Sequence, residues 1–144
     1  MCVDPVPSRV ELARALGADE AVTPEAAARL ADSAEVVFET AGADATTKQA
    51  FALARPGGAV VQVGWPGSNV VPLDVASFLA KELDYLSVNR YANAFPTAIR
   101  WLADGRVRAE GIVTHRFELA RIGEAFRFAH EHRDRVVKVL VLNE

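Results

Sequence analysis

The chain has 144 residues, 51% apolar and 24% charged, with a formal net charge of −3. That is enough for one domain with its own core, and the balance argues against disorder and against nucleic acid or an anionic membrane as partner. The single cysteine, Cys2, excludes an internal disulfide, no apolar run approaches the ~18 residues of a bilayer span, and no signal-peptide pattern precedes the first strand, so a cytoplasmic location is expected.

In chain order, residues 1–4 read as the tail of a strand closed by an acid, and Pro5 and Pro7 enforce an extended loop. Ser8-Arg9-Val10-Glu11 reads as a capping box with Ser8 as N-cap, opening a helix that runs to Leu16 and ends at Gly17. Residues 20–22 form a short strand, and residues 24–31 an alanine-rich helix with Pro24 in its first turn. Residues 35–39 are the near-continuous apolar run of a buried parallel strand, which Thr40-Ala41-Gly42 breaks before a helix over residues 44–54. Pro56-Gly57-Gly58 turns into a β-branched strand over residues 59–64, and residues 66–69 form a loop. A helix over residues 73–81 and a strand over residues 85–88 complete an alternation that predicts an α/β fold with a parallel sheet and right-handed crossovers.

The pattern then changes. Residues 94–103 form an amphipathic helix with Ala98, Trp101 and Leu102 on one side. A strand over residues 112–117 and a helix over residues 122–129 follow, the helix placing Ala125, Phe126 and Ala129 inward. Residues 136–142 form a terminal strand.

Several residues invite a chemical role. Asp4 ends a strand and Arg9 follows in the first turn of the next helix. An acid there accepts hydrogen bonds from ribose hydroxyls and disfavours a 2′-phosphate, or else simply caps the helix beside a solvated Arg9. Val63-Gly64-Trp65 and Val88-Asn89-Arg90 end two strands, and ligands of doubly wound sheets lie beyond the carboxyl ends of the strands. Gly64 by itself is equally a turn signal. Arg90 and Tyr91 together offer directed hydrogen bonds to a polyhydroxylated molecule, the alternative being a surface arginine beside a half-buried tyrosine. Thr114, His115 and Arg116 read as structural. His130 and His132 are two apart on a helix and do not share a face, which favours a solvated helix end over a metal site.

Arg90-Tyr91-Ala92-Asn93-Ala94-Phe95-Pro96, with Val113-Thr114-His115-Arg116-Phe117 further on, resembles the C-terminal part of the zinc-dependent medium-chain dehydrogenases of sorbitol or xylitol (polyol) type. The resemblance implies an incomplete doubly wound, Rossmann-type parallel sheet lacking its first strand and Gly-rich turn, followed by a C-terminal return segment. Residues 1–104 would be a partial NAD-binding domain, and residues 105–144 would pack on a catalytic domain that is not in this chain. Asp4 and Arg9 would bind the adenosine ribose of NAD. Val63, Gly64, Trp65, Val88, Asn89 and Arg90 would contact its nicotinamide half, largely through backbone groups, and Gly42 would lie near the dinucleotide. Arg90 and Tyr91 would face the substrate; Asn89 stands where the family carries an aromatic residue.

The same resemblance implies transfer of hydride from a secondary alcohol or polyol to NAD, within a homo-oligomer. Its zinc ligands lie in the N-terminal domain, so neither a zinc site nor a catalytic residue is expected in this chain. No Gly-x-Gly-x-x-Gly occurs in it. The chain alone is therefore expected to be an inactive fragment of such an enzyme. Alternatively it is a non-enzymatic association module, or a half-domain that complements a separately encoded N-terminal half. Without the family's first strand, the strand around residues 36–38 would carry an unpaired apolar edge, a template for association.

Overall fold

The computed structural model describes residues 1–68 and 70–143; Asn69, placed in a loop by the sequence, lies outside the described residues, as does Glu144. The chain divides into two compact units, one of residues 1–24 and 94–144 and the other of residues 25–93.

In the first unit, β1 (Cys2–Val3) pairs in parallel with β2 (Ala21–Val22), Cys2 opposite Ala21 and Val3 opposite Val22. The connection is α1 (Pro7–Ala15), with Leu16 as its C-cap and Gly17 following at a φ of 105°. The capping box expected at Ser8 does not form. Pro7 already supplies the φ of a first helical residue and has no N–H to satisfy, so the helix begins two residues earlier with Val6 as an N-cap that makes no side-chain bond. The Ser8 hydroxyl donates instead to the Asp134 carbonyl at 2.6 Å.

The later part of this unit holds a second parallel pair of strands. β6 (Val113–Glu118) and β7 (Lys138–Leu142) pair in parallel, joined through α6 (Ile122–Glu131). α6 buries Ala125 at 2% exposure, but Phe126 is 73% exposed, contrary to the inward position expected for it. Phe128 turns in instead, its ring 4.7 Å from His115 and 5.7 Å from Phe117. Similarly, α5 (Phe95–Ala103) is amphipathic, yet none of its residues is buried.

The second unit begins within α2 (Pro24–Ala27), a helix shorter than expected because residues 28–30 tighten into a 3₁₀ turn. Its sheet has the order β3 (Ala34–Glu39), β4 (Ala54–Gln62), β5 (Asp84–Ser87), all parallel. Two steps along β3, from Ala34 to Val36, match five along β4, from Ala54 to Ala59. The Pro56-Gly57-Gly58 turn is thus accommodated as a bulge within one strand rather than as a loop before it. α3 (Asp44–Leu53) and α4 (Val75–Ala80) supply the crossovers, and Asp74 caps α4 by accepting the Ser77 N–H at 3.1 Å.

The core of this unit is Ala50, Ala54, Val60 and Leu83, with Val37, Phe51 and Phe78 packed around them. Val60 is fully buried, a placement that stabilises by roughly 1.5–3 kcal/mol. β3 is not buried on both faces as its composition suggested. Val36 is 50% and Phe38 65% exposed, and among the described residues β3 pairs with β4 alone. No helix of the described residues is long and apolar enough to cross a membrane.

Candidate functional site

The β-branched runs of β3 and β4 end side by side, at Glu39 and Gln62. The Glu39 carbonyl accepts the N–H groups of both Val63 and Gly64 at 2.8 Å, so the chain leaving β4 is tied to the end of β3. The Glu39 side chain, only 3% exposed, turns back into the break that follows its own strand. Its Oε1 accepts from the Ala41 and Gly42 N–H groups, both at 2.9 Å, and from the Thr46 hydroxyl at 2.7 Å. Its Oε2 accepts from the Gln62 side-chain amide, which also donates to the Gly64 carbonyl at 2.8 Å.

Two glycines seal this corner. A Cβ on Gly42 would lie 2.3 Å from the Trp65 carbonyl oxygen, and one on Gly64 would lie 2.3 Å from the Gly42 nitrogen. Gly42 also holds a φ of 72°, which side-chain-bearing residues rarely adopt. The Trp65 indole, next in the chain, is 78% exposed.

The end of β5 belongs to the same sheet edge. Val88 donates its N–H to the Gln62 carbonyl at 2.9 Å, which sets Val88, Asn89 and Arg90 beside the end of β4. Within β5, the Tyr85 hydroxyl donates to Gln62 Oε1 at 3.2 Å and its ring meets Phe51 edge-on at 5.0 Å. Desolvation first, and then the Glu39 charge, hold the Tyr85 phenol above its ordinary pKa. Arg90 and Tyr91 follow on the exposed continuation of this strand.

Asp4 and Arg9 meet within the first unit. Asp4 Oδ1 accepts the Val6 N–H at 2.8 Å, and its Oδ2 lies 3.8 Å from an Arg9 guanidinium nitrogen. The other end of that guanidinium donates to the Arg133 carbonyl at 2.9 Å and the Val136 carbonyl at 3.0 Å. Arg9 therefore ties the first helix to the turn before β7, a role its sequence position did not suggest. His130 and His132 each receive an arginine at Nδ1, from Arg133 at 3.0 Å and Arg135 at 2.9 Å. Among the described residues no group of three or more His, Cys, Asp or Glu side chains is placed to hold a metal ion.

The structure brings Val63, Gly64, Trp65, Val88, Asn89 and Arg90 to one sheet edge, and Asp4 to Arg9. Reading the sequence missed Glu39, Thr46 and Gln62. The available signal was an acid closing an apolar strand immediately before Thr-Ala-Gly. A cleft of about 510 Å³ lined by Lys48, Phe51, Asp74, Ser77 and Phe78, among others, includes none of the predicted residues.

Comparison with known proteins gives a consistent set of relatives. The family model described as zinc-binding dehydrogenase matches residues 1–104. Sorbitol dehydrogenase of Bacillus subtilis is 36% identical over 107 residues, 74% of this chain and 30% of that protein. A protein described as a putative D-xylulose reductase, from Rhizobium meliloti, is 39% identical over 108 residues, 75% of this chain and 31% of that one. Among solved structures, L-idonate 5-dehydrogenase of Escherichia coli K-12 superposes with a TM-score of 0.85 at 26% identity, covering 98% of this chain and 42% of that one. An alcohol dehydrogenase of E. coli CFT073, complexed with cofactor NADH, gives a TM-score of 0.86 at 26% identity, covering 98% and 43%. The chain thus spans about a third of the length of these curated relatives, 30% and 31%.

Proposed function

The chain belongs to the zinc-binding dehydrogenase family, and from that premise we infer that it is the cofactor-side portion of an NAD-dependent, zinc-dependent polyol or alcohol dehydrogenase, inactive by itself. The observation that carries this reading is the shared carboxyl edge of β4 and β5, where the two strand ends lie side by side and Arg90 and Tyr91 follow at once. When bound, NAD would accept hydride from the alcohol. On this reading the 63–65 and 88–90 segments hold its nicotinamide half by backbone groups. Asp4 Oδ2 is the oxygen left to accept from a ribose hydroxyl, since Oδ1 is engaged by Val6. Residues 1–104 form the cofactor domain of this reading, and residues 105–144 the segment that meets a catalytic domain. The described residues do not fit a zinc site, since no three His, Cys, Asp or Glu side chains among them converge.

Two measurements test this. Calorimetric titration of the chain with NAD should show no saturable binding below millimolar concentration. No Gly-x-Gly-x-x-Gly occurs in the sequence to open a helix on the pyrophosphate, and each charge-assisted hydrogen bond missing there is worth about 1.5–3 kcal/mol. Fused behind the N-terminal part of the B. subtilis sorbitol dehydrogenase, the chain should support NAD reduction by sorbitol or xylitol, read at the NADH absorbance. A folded chimera that binds zinc but reduces no NAD counts against the reading, and micromolar NAD binding by the chain alone counts against its inactivity.

A second reading, association with another chain or another copy of itself, is favoured by the outer edge of β3. That edge has no strand partner among the described residues and carries exposed Val36 and Phe38.

A further inference from the structure

Glu39 is a buried carboxylate at a corner where the family reading requires only glycines and backbone, and every group aimed at it is a donor. Oε1 faces two backbone N–H groups and the Thr46 hydroxyl, and Oε2 faces the Gln62 amide nitrogen. The Gln62 orientation is fixed from both ends. Its nitrogen donates to Glu39 and to the Gly64 carbonyl, and its oxygen accepts from Tyr85. A reversed amide would set oxygen against a carboxylate and a carbonyl.

We propose that Glu39, as the carboxylate, is the positioning residue of the β3–β4 edge: it holds the 40–43 and 63–65 segments in register and turns their N–H groups inward, away from any anion. The second half follows from where the N–H groups point. Those of Ala41 and Gly42 go to the Glu39 side chain, and those of Val63 and Gly64 go to its carbonyl. A glycine-bearing strand end of this kind ordinarily suggests a phosphate cradle, which needs N–H groups facing outward. Here they face inward, two on to the buried carboxylate and two on to the Glu39 main-chain carbonyl.

Carboxylate chemistry makes the idea testable, because an amide cannot replace it. In Glu39→Gln one side of the new amide is an NH₂ group. It must face either the Gln62 nitrogen or the Ala41 and Gly42 N–H groups, and in both placements donor meets donor. Gln62→Glu sets two carboxylates face to face. The double exchange Glu39→Gln/Gln62→Glu restores an acceptor to the Ala41 and Gly42 N–H groups and a donor–acceptor pair between residues 39 and 62, with Tyr85 still able to donate to residue 62, but it leaves the Gly64 carbonyl facing a carboxylate oxygen.

The experiment is amide hydrogen exchange of the chain by NMR, without ligand, with Val60 and Val61 in the core of β4 as internal references. Each single variant should speed exchange at Ala41, Gly42 and Gly64 about tenfold or more relative to those references, and the double exchange should return Ala41 and Gly42, though not Gly64, to within about threefold of the parent. If a single variant does not fold, the double exchange still decides: folded with a protected Gly42 supports the proposal, and unfolded overturns it. A Glu39→Gln variant with unchanged relative exchange, or a double exchange no better than the singles, also overturns it. Inorganic phosphate at millimolar concentration should move none of the three amides in the parent, and a saturable shift at any of them refutes the inward orientation of these N–H groups. These measurements judge Glu39 whether or not the chain binds NAD, which the calorimetric titration judges separately.

Discussion

At the scale of single residues, the glycine corner is where a methyl group costs most. Gly42→Ala must place its Cβ 2.3 Å from a backbone oxygen while holding a φ of 72°, and Gly64→Ala must displace the Gly42 peptide itself. Backbone is the obstacle in both cases, so neither clash is relieved by a side-chain rotation. Each substitution should lower the free energy of unfolding in urea by about 2 kcal/mol or more. Gly67→Ala, with nothing within 4 Å of the added atom, should change it by less than about 0.5 kcal/mol. The two glycines were legible in the sequence because each ends a β-branched run. Glu39 was not, because an acid at a strand end ordinarily reads as solvated, and its burial depends on Thr46 and Gln62, which are remote from it in sequence.

Tyr85 offers a pH test of the same corner. In a Tyr91→Phe background, absorbance titration should place the Tyr85 phenol above an ordinary tyrosine, the direction set by desolvation and then by Glu39. The folded state holds this proton more tightly than the unfolded chain. The contribution to stability is therefore fully present below the unfolded value of about 10 and is lost as pH rises through the folded one. Glu39→Gln should bring the midpoint only part of the way down, because burial, the larger cause, remains. A midpoint that does not respond to Glu39→Gln would separate the phenol from the carboxylate.

At the scale of elements, the joint between α3, α4 and the turn before β3 is held by Lys81. Its ammonium donates to the carbonyls of Phe51, Ala52 and Ala54 at 2.9, 3.2 and 3.1 Å, around the C-terminal end of α3, and lies 2.6 Å from Asp32. With its side chain 15% exposed, Lys81 satisfies groups that water reaches poorly. Lys81→Met keeps the apolar stem and should cost about 2–3 kcal/mol in urea unfolding. Asp32→Asn should cost less than about 1 kcal/mol, since that carboxylate is 57% exposed and asparagine tolerates the φ of 59° found there. Equal losses from the two would mean that the ion pair matters more than the helix end. The elements themselves were legible wherever glycine or proline bracketed an apolar run, as around β3 and α3. Their edges shifted where tertiary contacts took over: the Ser8 hydroxyl was drawn to Asp134, and Phe126 turned outward while Phe128 packed on His115.

At the scale of the whole molecule, the fold class was readable from the alternation of strands and helices, but the extent of uncovered apolar surface was not. Val36 and Phe38 on β3 are 50% and 65% exposed, and Phe95 and Ile99 on α5 are 60% and 62% exposed. Periodicity tells which side of a helix or strand is apolar but not whether anything covers it. An unpaired strand edge bearing β-branched and aromatic side chains is a template for another strand. The chain should therefore elute as a dimer or larger species in size-exclusion chromatography with light scattering, its apparent mass rising with concentration. Val36→Thr/Phe38→Lys places a polar group and a charge on that edge without touching the core residues Val37 and Val60, and should shift the population toward monomer while leaving the far-ultraviolet circular dichroism unchanged. A parent chain that stays monomeric at every concentration removes the association reading. Oligomers that persist unchanged in the double variant move the contact away from β3, to another of the exposed apolar surfaces.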